Sequence, residues 1–480
     1  AHPPSSSVPA SVSFVVIARR DMTTSVAVAG GVRAVVGRRG RRGRAMVRAS
    51  SSSSSAPPPP PTPSERDQGS SRANTMSRKW DRFGAETVPL WVADMDFSAP
   101  ERVVDAVREV AESGHYGYAD PCERTVRCVR ERLATAHGFG EEAGAGTDCV
   151  RWLPGLNPGL NHAVRAVRRM RGGDEKMTTV CCTPIYPPFL YASRNNETPK
   201  IEVPLTRAPA AADGANVVRY EVDWDALEAA LAKPEVGLLL WCNPHNPVGR
   251  VWTRDEMVRV AKTCVKHDVV LVSDEVWREL ILDEDKTPFT GAGSLLKEVD
   301  GLRERLVVMT SPSKTYNVAG CDVAVACIPD KALRLHFARS GSDKAEITPF
   351  GYAALLAAYT DPSCEEWRQR LLAYLRANRD HIHETLSNDV NARELMTWTL
   401  PEASYLMWLN CERLVDGVER SPFEHFLEHG VALSDGAPFS APLSARVNYA
   451  TRRDILDVGL TRMGTALDVA AMSARDRSRG

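Results

Sequence analysis

The chain has 480 residues, 43% hydrophobic and 25% charged, with a net charge of −1; that length suits roughly two to three folding units of about 150 residues each. The charge balance excludes a strongly basic nucleic-acid binder, and no uninterrupted apolar run approaches the ~18 residues of a membrane-spanning helix. Eleven cysteines without a CxxC pair or Cys/His metal spacing suggest neither a disulfide framework nor a zinc site.

Residues 1–64 differ in kind from the rest. They carry nine Arg, no Lys and one acid, Asp21, and end in "ASSSSSSAPPPPPTPS". An Arg- and Ser-rich, acid-poor terminus reads as an organelle transit peptide. The competing reading, a nucleic-acid-binding arm, lacks interleaved aromatics. "VRAS", Val47–Ser50, resembles a plastid processing site, and the serine and proline tract after it reads as a linker. Chloroplast stroma is therefore the expected destination, with the mitochondrion as the alternative. Losing nine positive charges and one negative takes the net charge from −1 to −9, so the body is expected to be mildly acidic and soluble.

In the body, residues 65–116 are expected to open a smaller unit, 117–355 to form a large α/β unit, and 356–480 to complete the smaller one. From Trp152 to Thr310 short apolar runs alternate with amphipathic segments, which predicts parallel strands joined by helices. "PGLNPGLNHAVRAVRRM" reads as a helix with Asn157 at its cap and Pro158 in its first turn, leaving the Gly155 and Leu156 N–H groups at the helix start. "TTVCC", whose Cys181-Cys182 pair reads as packing, precedes "TPIYPPF". "VGLLLWC" precedes "NPHNPVG". Thr253–His267 is an amphipathic helix: Thr253 and Glu256 have capping-box spacing, and Met257, Val260, Ala261 and Cys264 share one face. "DVVLVS" then gives way to "SDEVW", and "RLVVMT" to "SPSKT". These β-branched and leucine-rich runs suit strands buried on both faces. Ligands bind outside the carboxyl ends of parallel strands, so the four tips are expected to meet at one crevice. A long helical pattern from Glu366 to Asn388 and two short strands, "SYLMWLN" and "ARVNYA", complete the chain, facing residues 75–115 across that crevice.

A lysine at such a tip suits imine formation with an aldehyde cofactor, and pyridoxal phosphate is the one whose protein partners can be named. Lys314 is the candidate lysine. Asp274 suits the acid that keeps a proton on the pyridine nitrogen. Asn246 offers a neutral donor to the ring hydroxyl, and Tyr186 a stacking face. Gly155, Leu156, Ser311 and Ser313 supply N–H and hydroxyl donors for a phosphate, and Arg446 a fork for an α-carboxylate. Each residue alone has a blander reading: "SDE" as a helix cap, Asn246-Pro247 as a turn, Tyr186 as core, Arg446 as a surface ion pair. The ordered set carries the inference.

The same motifs, with "KWDRFG", "PLWVADMDFSAP", "YGY" and "RVNYATRRDIL", make the chain resemble the class I/II aminotransferase superfamily, pyridoxal-phosphate fold type I. Within it the chain is similar to the cystathionine β-lyase branch that includes the maltose-regulon modulators. The resemblance runs from about Arg78 to Met463 and implies an α/β fold, a large mostly parallel sheet flanked by helices, with a smaller α+β domain from both chain ends. It implies Lys314 as Schiff-base lysine, Asp274 as pyridine partner, Asn246 and Tyr186 on the ring, and Arg446 on the α-carboxylate, joined there by the Ala93 N–H. It also implies a homodimer with shared active sites, in which Tyr118 reaches the neighbouring subunit's phosphate. Two positions depart from the pattern. Trp277 stands where relatives carry Tyr or His, and Asp322 where many carry a phosphate-binding Arg; an indole N–H donates but cannot accept, and a carboxylate repels a phosphate.

The resemblance implies carbon–sulfur β-elimination from cystathionine or related cysteine conjugates, which fits methionine biosynthesis. An amino acid aminotransferase is the alternative, since the same lysine serves both outcomes. A fold-retaining regulatory or binding protein with little activity is the third reading, with Asp322 as its local support.

Overall fold

The computed structural model describes Thr62 and residues 72–140, 149–173, 177–210, 212–341, 345–415, 418 and 420–477. Apart from Thr62, the expected transit peptide and linker lie outside the described residues. The strands come in chain order as β1 (Val88–Pro89), β2 (Val150–Leu153), β3 (Thr178–Thr183) and β4 (Lys200–Pro204). A hairpin of β5 (Thr206–Pro209) and β6 (Val218–Glu221) follows, then β7 (Val236–Cys242), β8 (Val270–Asp274), β9 (Leu306–Thr310) and β10 (Ala324–Cys327). Seven of them form one sheet in the order β2-β10-β9-β8-β7-β3-β4. β9-β8, β8-β7, β7-β3 and β3-β4 are parallel pairs, and β10 runs antiparallel to both of its neighbours.

Every residue of β3, β7, β8 and β9 is buried, because helices cover both faces of a parallel sheet. Helix Arg254–Lys266 is one of them. It starts at the expected capping box, Thr253 accepting from the Glu256 N–H and Glu256 from the Thr253 N–H, and it buries Met257, Val260, Ala261 and Cys264. From β7 the chain adds β8, β9 and β10 in one direction, whereas β3 is followed by β4 in the other. That reversal separates the loops leaving β3 and β7, which opens a crevice at their carboxyl ends.

One helix start differs from expectation. Helix Leu156–Met170 begins at Leu156 with Gly155 as its cap, so Asn157 and Pro158 already lie in its first turn. Gly155 has φ +156° and ψ 170°, a conformation that glycine reaches without strain. The backbone freedom of that residue, not the Asn-Pro signal, sets the boundary.

A second sheet is built from β11 (Thr397–Trp398), β12 (Leu406–Asn410), β14 (Ser434–Asp435) and β15 (Ser444–Asn448), in the antiparallel order β11-β12-β15-β14. Between β12 and β14 comes β13 (Val431–Ala432), which pairs parallel with β1, Val88 opposite Val431. That pairing brings residues 88–97 to the C-terminal part of the chain. The expected long helix is Pro362–Asn388. Among the described residues no helix is long and apolar enough to cross a membrane.

Candidate active site

Beyond the ends of β3, β7, β8 and β9 lies a cavity of about 430 Å³, within the ~300–1,000 Å³ usual for small-molecule sites. Its lining includes Ala93, Gly155, Leu156, Tyr186, Asn246, Asp274, Trp277, Ser311, Ser313, Lys314 and Asp322. Arg446 touches this group from β15 through Asn246. Of the expected site residues, only Tyr118 stands apart: it is 98% exposed and borders a different concavity.

Among the described residues that line the cavity, Lys314 is the only cation. Its Nζ donates to the Ala93 carbonyl at 2.8 Å, and no described carboxylate stands within ion-pair distance. Burial and the nearby Arg446 charge push the amine down to about 8, although Asp94 and Asp274 pull the other way. Asp274 accepts from the Val276 N–H at 3.1 Å and has no described cation within ion-pair distance. Burial raises it to about 7, and Glu275 adds to the rise. An acid placed so has its charge stabilised once a positive group arrives beside it.

Arg446 is 4% exposed. It donates to Asn246 Oδ1 at 2.9 Å, Ser434 Oγ at 3.1 Å and the Trp91 carbonyl at 3.2 Å, while its Nε has no partner among the described residues. It also lies 4.8 Å over the Phe439 ring. With neutral partners only, burial pushes the guanidinium down to about 10. A buried guanidinium without a carboxylate is an open seat for one. Because Asn246 Oδ1 faces Arg446, its amide NH₂ remains for the cavity. The Tyr186 N–H donates to the Asn246 carbonyl at 3.0 Å, which joins the two loops of the crevice.

At the other end, Gly155 caps helix Leu156–Met170 and leaves first-turn N–H groups aimed outward. Ser311 Oγ accepts from the Ser313 N–H at 3.0 Å and gives its own proton to the Val323 carbonyl at 2.7 Å. Asp322 is exposed on the rim with φ +49°, so its charge is solvated. The donors fit the expected pyridoxal phosphate: a lysine, an acid, an amide, an aromatic face and a helix N-terminus line one cavity.

The wall opposite the sheet is the irregular, bent segment Trp91–Phe97, and its carbonyls are held by side chains. Asn448 Nδ2 donates to the carbonyls of Val92 and, at 2.7 Å, Asp94. Asn317 accepts from the Met95 N–H at 3.0 Å and donates to the Met95 and Phe97 carbonyls. Tyr405 OH donates to the Ala93 carbonyl at 3.0 Å. Asp96 takes Lys79 Nζ at 2.8 Å, Trp80 Nε1 at 2.8 Å and Arg72 at 3.2 Å. The Ala93 N–H has no acceptor among the described residues. Tyr405, Asn317 and Asn448 are not singled out by the sequence, although Asn448 lies within "RVNYATRRDIL"; the one local signal is a polar group inside an apolar run, as in "SYLMWLN".

The family description "Aminotransferase class I and II" matches residues 88–462. The chain belongs to this family. Among class I and II relatives it is 31% identical over 417 residues to cystathionine beta-lyase PatB of Bacillus subtilis, covering 84% of this chain and 99% of the relative. It is 28% identical to protein MalY of Escherichia coli, covering 72% of this chain and 83% of MalY. The crystal structure of cystalysin from Treponema denticola, which contains pyridoxal 5'-phosphate, superposes with a TM-score of 0.73 at 26% identity, over 83% of this chain and 97% of cystalysin. These likenesses confirm the expected α/β architecture: one large mostly parallel sheet flanked by helices, plus a small antiparallel sheet.

Proposed function

We propose that this chain is a pyridoxal-phosphate-dependent carbon–sulfur β-lyase, cleaving L-cystathionine or a related cysteine S-conjugate to a thiol, pyruvate and ammonia. The observation that carries the reading is the placement of Lys314, Asp274 and Asn246 on one cavity, with Arg446 bonded to Asn246 behind it, supported by the likeness to PatB and cystalysin. Lys314, Asp274, Asn246, Tyr186, Ser311, Ser313 and the Gly155–Leu156 turn would hold the cofactor. When bound, pyridoxal phosphate supplies an electron-accepting ring that takes up the pair left when the substrate's α-C–H bond breaks.

Arg446 offers its unpartnered Nε to the α-carboxylate, and the Ala93 N–H adds a second donor. That grip orients the α-hydrogen toward Lys314. An amine lowered to about 8 is in part neutral near pH 7–8, so Lys314 can remove that proton as general base. As the β-C–S bond breaks with its electron pair on sulfur, the Lys314 ammonium returns the proton to the departing thiolate. The remaining three-carbon unit takes up water and gives pyruvate and ammonia. Tyr118, fully exposed here, supports a homodimer in which it serves the partner's site, and the composition of residues 1–64 supports delivery to a plastid.

The full-length protein loaded with pyridoxal phosphate and given L-cystathionine without a keto acid should release pyruvate and ammonia over many turnovers. Lys314→Ala should lower that rate by about 10²–10⁴-fold. A single turnover at most, restored by adding a keto acid, would instead establish an aminotransferase.

A further inference from the structure

Four contacts around Lys314 close on themselves. Its Nζ donates to the Ala93 carbonyl at 2.8 Å, and the Tyr405 hydroxyl donates to the same oxygen at 3.0 Å. Tyr405 meets Trp277 edge to face, ring centroids 5.0 Å apart at 76°. The Trp277 ring in turn lies 5.7 Å from Lys314 Nζ, within reach of a cation–π contact. Trp277 is 2% exposed and Tyr405 1% exposed, so neither ring has room to swing away. The carbonyls on either side of Ala93 are both held by Asn448, which leaves the Tyr405 hydroxyl as the one described group besides Lys314 that holds the Ala93 carbonyl itself.

We propose that Trp277, Tyr405 and the Ala93 carbonyl form a seat for the Lys314 amine whenever it is not bonded to the cofactor, with Trp277 and Tyr405 as positioning residues for the general base. The proposal rests on Lys314 being the reactive lysine but on neither outcome of the lyase assay. It gives the unusual Trp277 a role: it is a π face for an ammonium. The groups that accept the proton's charge are neutral, a carbonyl and a ring. A proton held by neutral acceptors is released more readily than one paired with a carboxylate, which suits an amine that must take and return a proton in each cycle. The charged groups facing Lys314 are Asp94 from the Trp91–Phe97 segment, Asp274 from β8 and Arg446 from β15. The first two favour the ammonium and the third opposes it, so the seat acts on top of a field of mixed sign.

The test is made on cofactor-free full-length protein and needs no turnover. Lys314 is labelled with trace acetic anhydride between pH 6 and 10, and its rate is followed by mass spectrometry of its peptide, the other lysines serving as reference. In the wild type the neutral amine should appear with a midpoint near pH 8. Trp277→Leu removes the π face while keeping the wall apolar, and should lower the midpoint and speed labelling at pH 7 by about two- to fivefold. Tyr405→Phe keeps the ring but frees the Ala93 carbonyl to turn, and should move the midpoint the same way by about twofold in rate. Circular dichroism identifies the variants that fold. A lowered midpoint in either folded variant supports the seat; a midpoint unchanged or raised in both overturns it, whatever the protein does to L-cystathionine.

Discussion

On the sheet side of the cavity, Asp274 ends β8 while Asn246 and Lys314 follow the carboxyl ends of β7 and β9, whereas on the opposite side Trp91–Phe97 has no regular structure and is held by side chains from Arg72 to Asn448. The first wall inherits its geometry from a ladder of parallel strands whose residues are all buried. The second is fixed by single bonds between groups far apart in the chain, such as Met95 to Asn317 at a separation of 222 residues and Asp94 to Asn448 at 354. A ladder spreads the loss of one bond over its neighbours, and a segment pinned group by group does not. The substrate-facing wall should therefore be the more fragile of the two.

The strongest test of that contrast is the buried pair Lys79–Asp96, whose side chains are 0% and 4% exposed. Removing one partner of such a pair strands the other charge, and Asp96→Ala should cost about 3–5 kcal/mol in urea unfolding. Burial alone would raise the Asp96 carboxyl, but Lys79, Trp80 and the groups around them hold it below the usual carboxylate range. A depressed folded value means that its stabilisation is present above about pH 4 and is lost as the pH falls through the lowered value. The gap between wild type and Asp96→Ala should accordingly narrow in acid. A variant as stable as the wild type at pH 7 would break the comparison, because the second wall would not depend on its pins.

Arg446→Lys sharpens it where the two walls meet. Arg446 binds Asn246 on one side and Trp91 with Ser434 on the other, so a lysine with one point charge cannot serve both. Losing a charge-assisted bond of about 1.5–3 kcal/mol should raise KM by about 10–100-fold with a smaller change in kcat. An unchanged KM with kcat reduced would place Arg446 away from the carboxylate and against the proposed grip.

What is legible in the sequence follows the same division. Strand tips announce themselves through short apolar runs and the polar groups that end them, so Asp274, Asn246, Tyr186 and Lys314 stand out from residue order alone. Ala93 is visible only through resemblance, and Arg446 stands out only as the fork that an α-carboxylate would need, because nothing local marks a residue whose partner lies hundreds of positions away. Tyr405, Asn317 and Asn448 are silent for that reason. Even on the legible side the start of helix Leu156–Met170 is displaced, since the Asn157-Pro158 pair imitates a cap while the backbone freedom of Gly155 sets the true one.

The smallest effect is expected where the sequence is most explicit. Thr253 caps helix Arg254–Lys266 through one bond of 3.3 Å to the Glu256 N–H, and Thr253→Ala should cost about 1 kcal/mol of stability. The Glu256 carboxylate does more than close the box. It takes Arg250 in a fork at 2.8 and 3.0 Å, and the Arg250 carbonyl accepts from the His245 N–H at 2.7 Å, one residue before Asn246. Thr253→Ala leaves that chain of contacts in place, so KM for the substrate should not move. If KM rose together with the loss of stability, the helix cap would be shown to reach Asn246 through Arg250, and the sheet wall would prove pinned by single contacts as the other wall is.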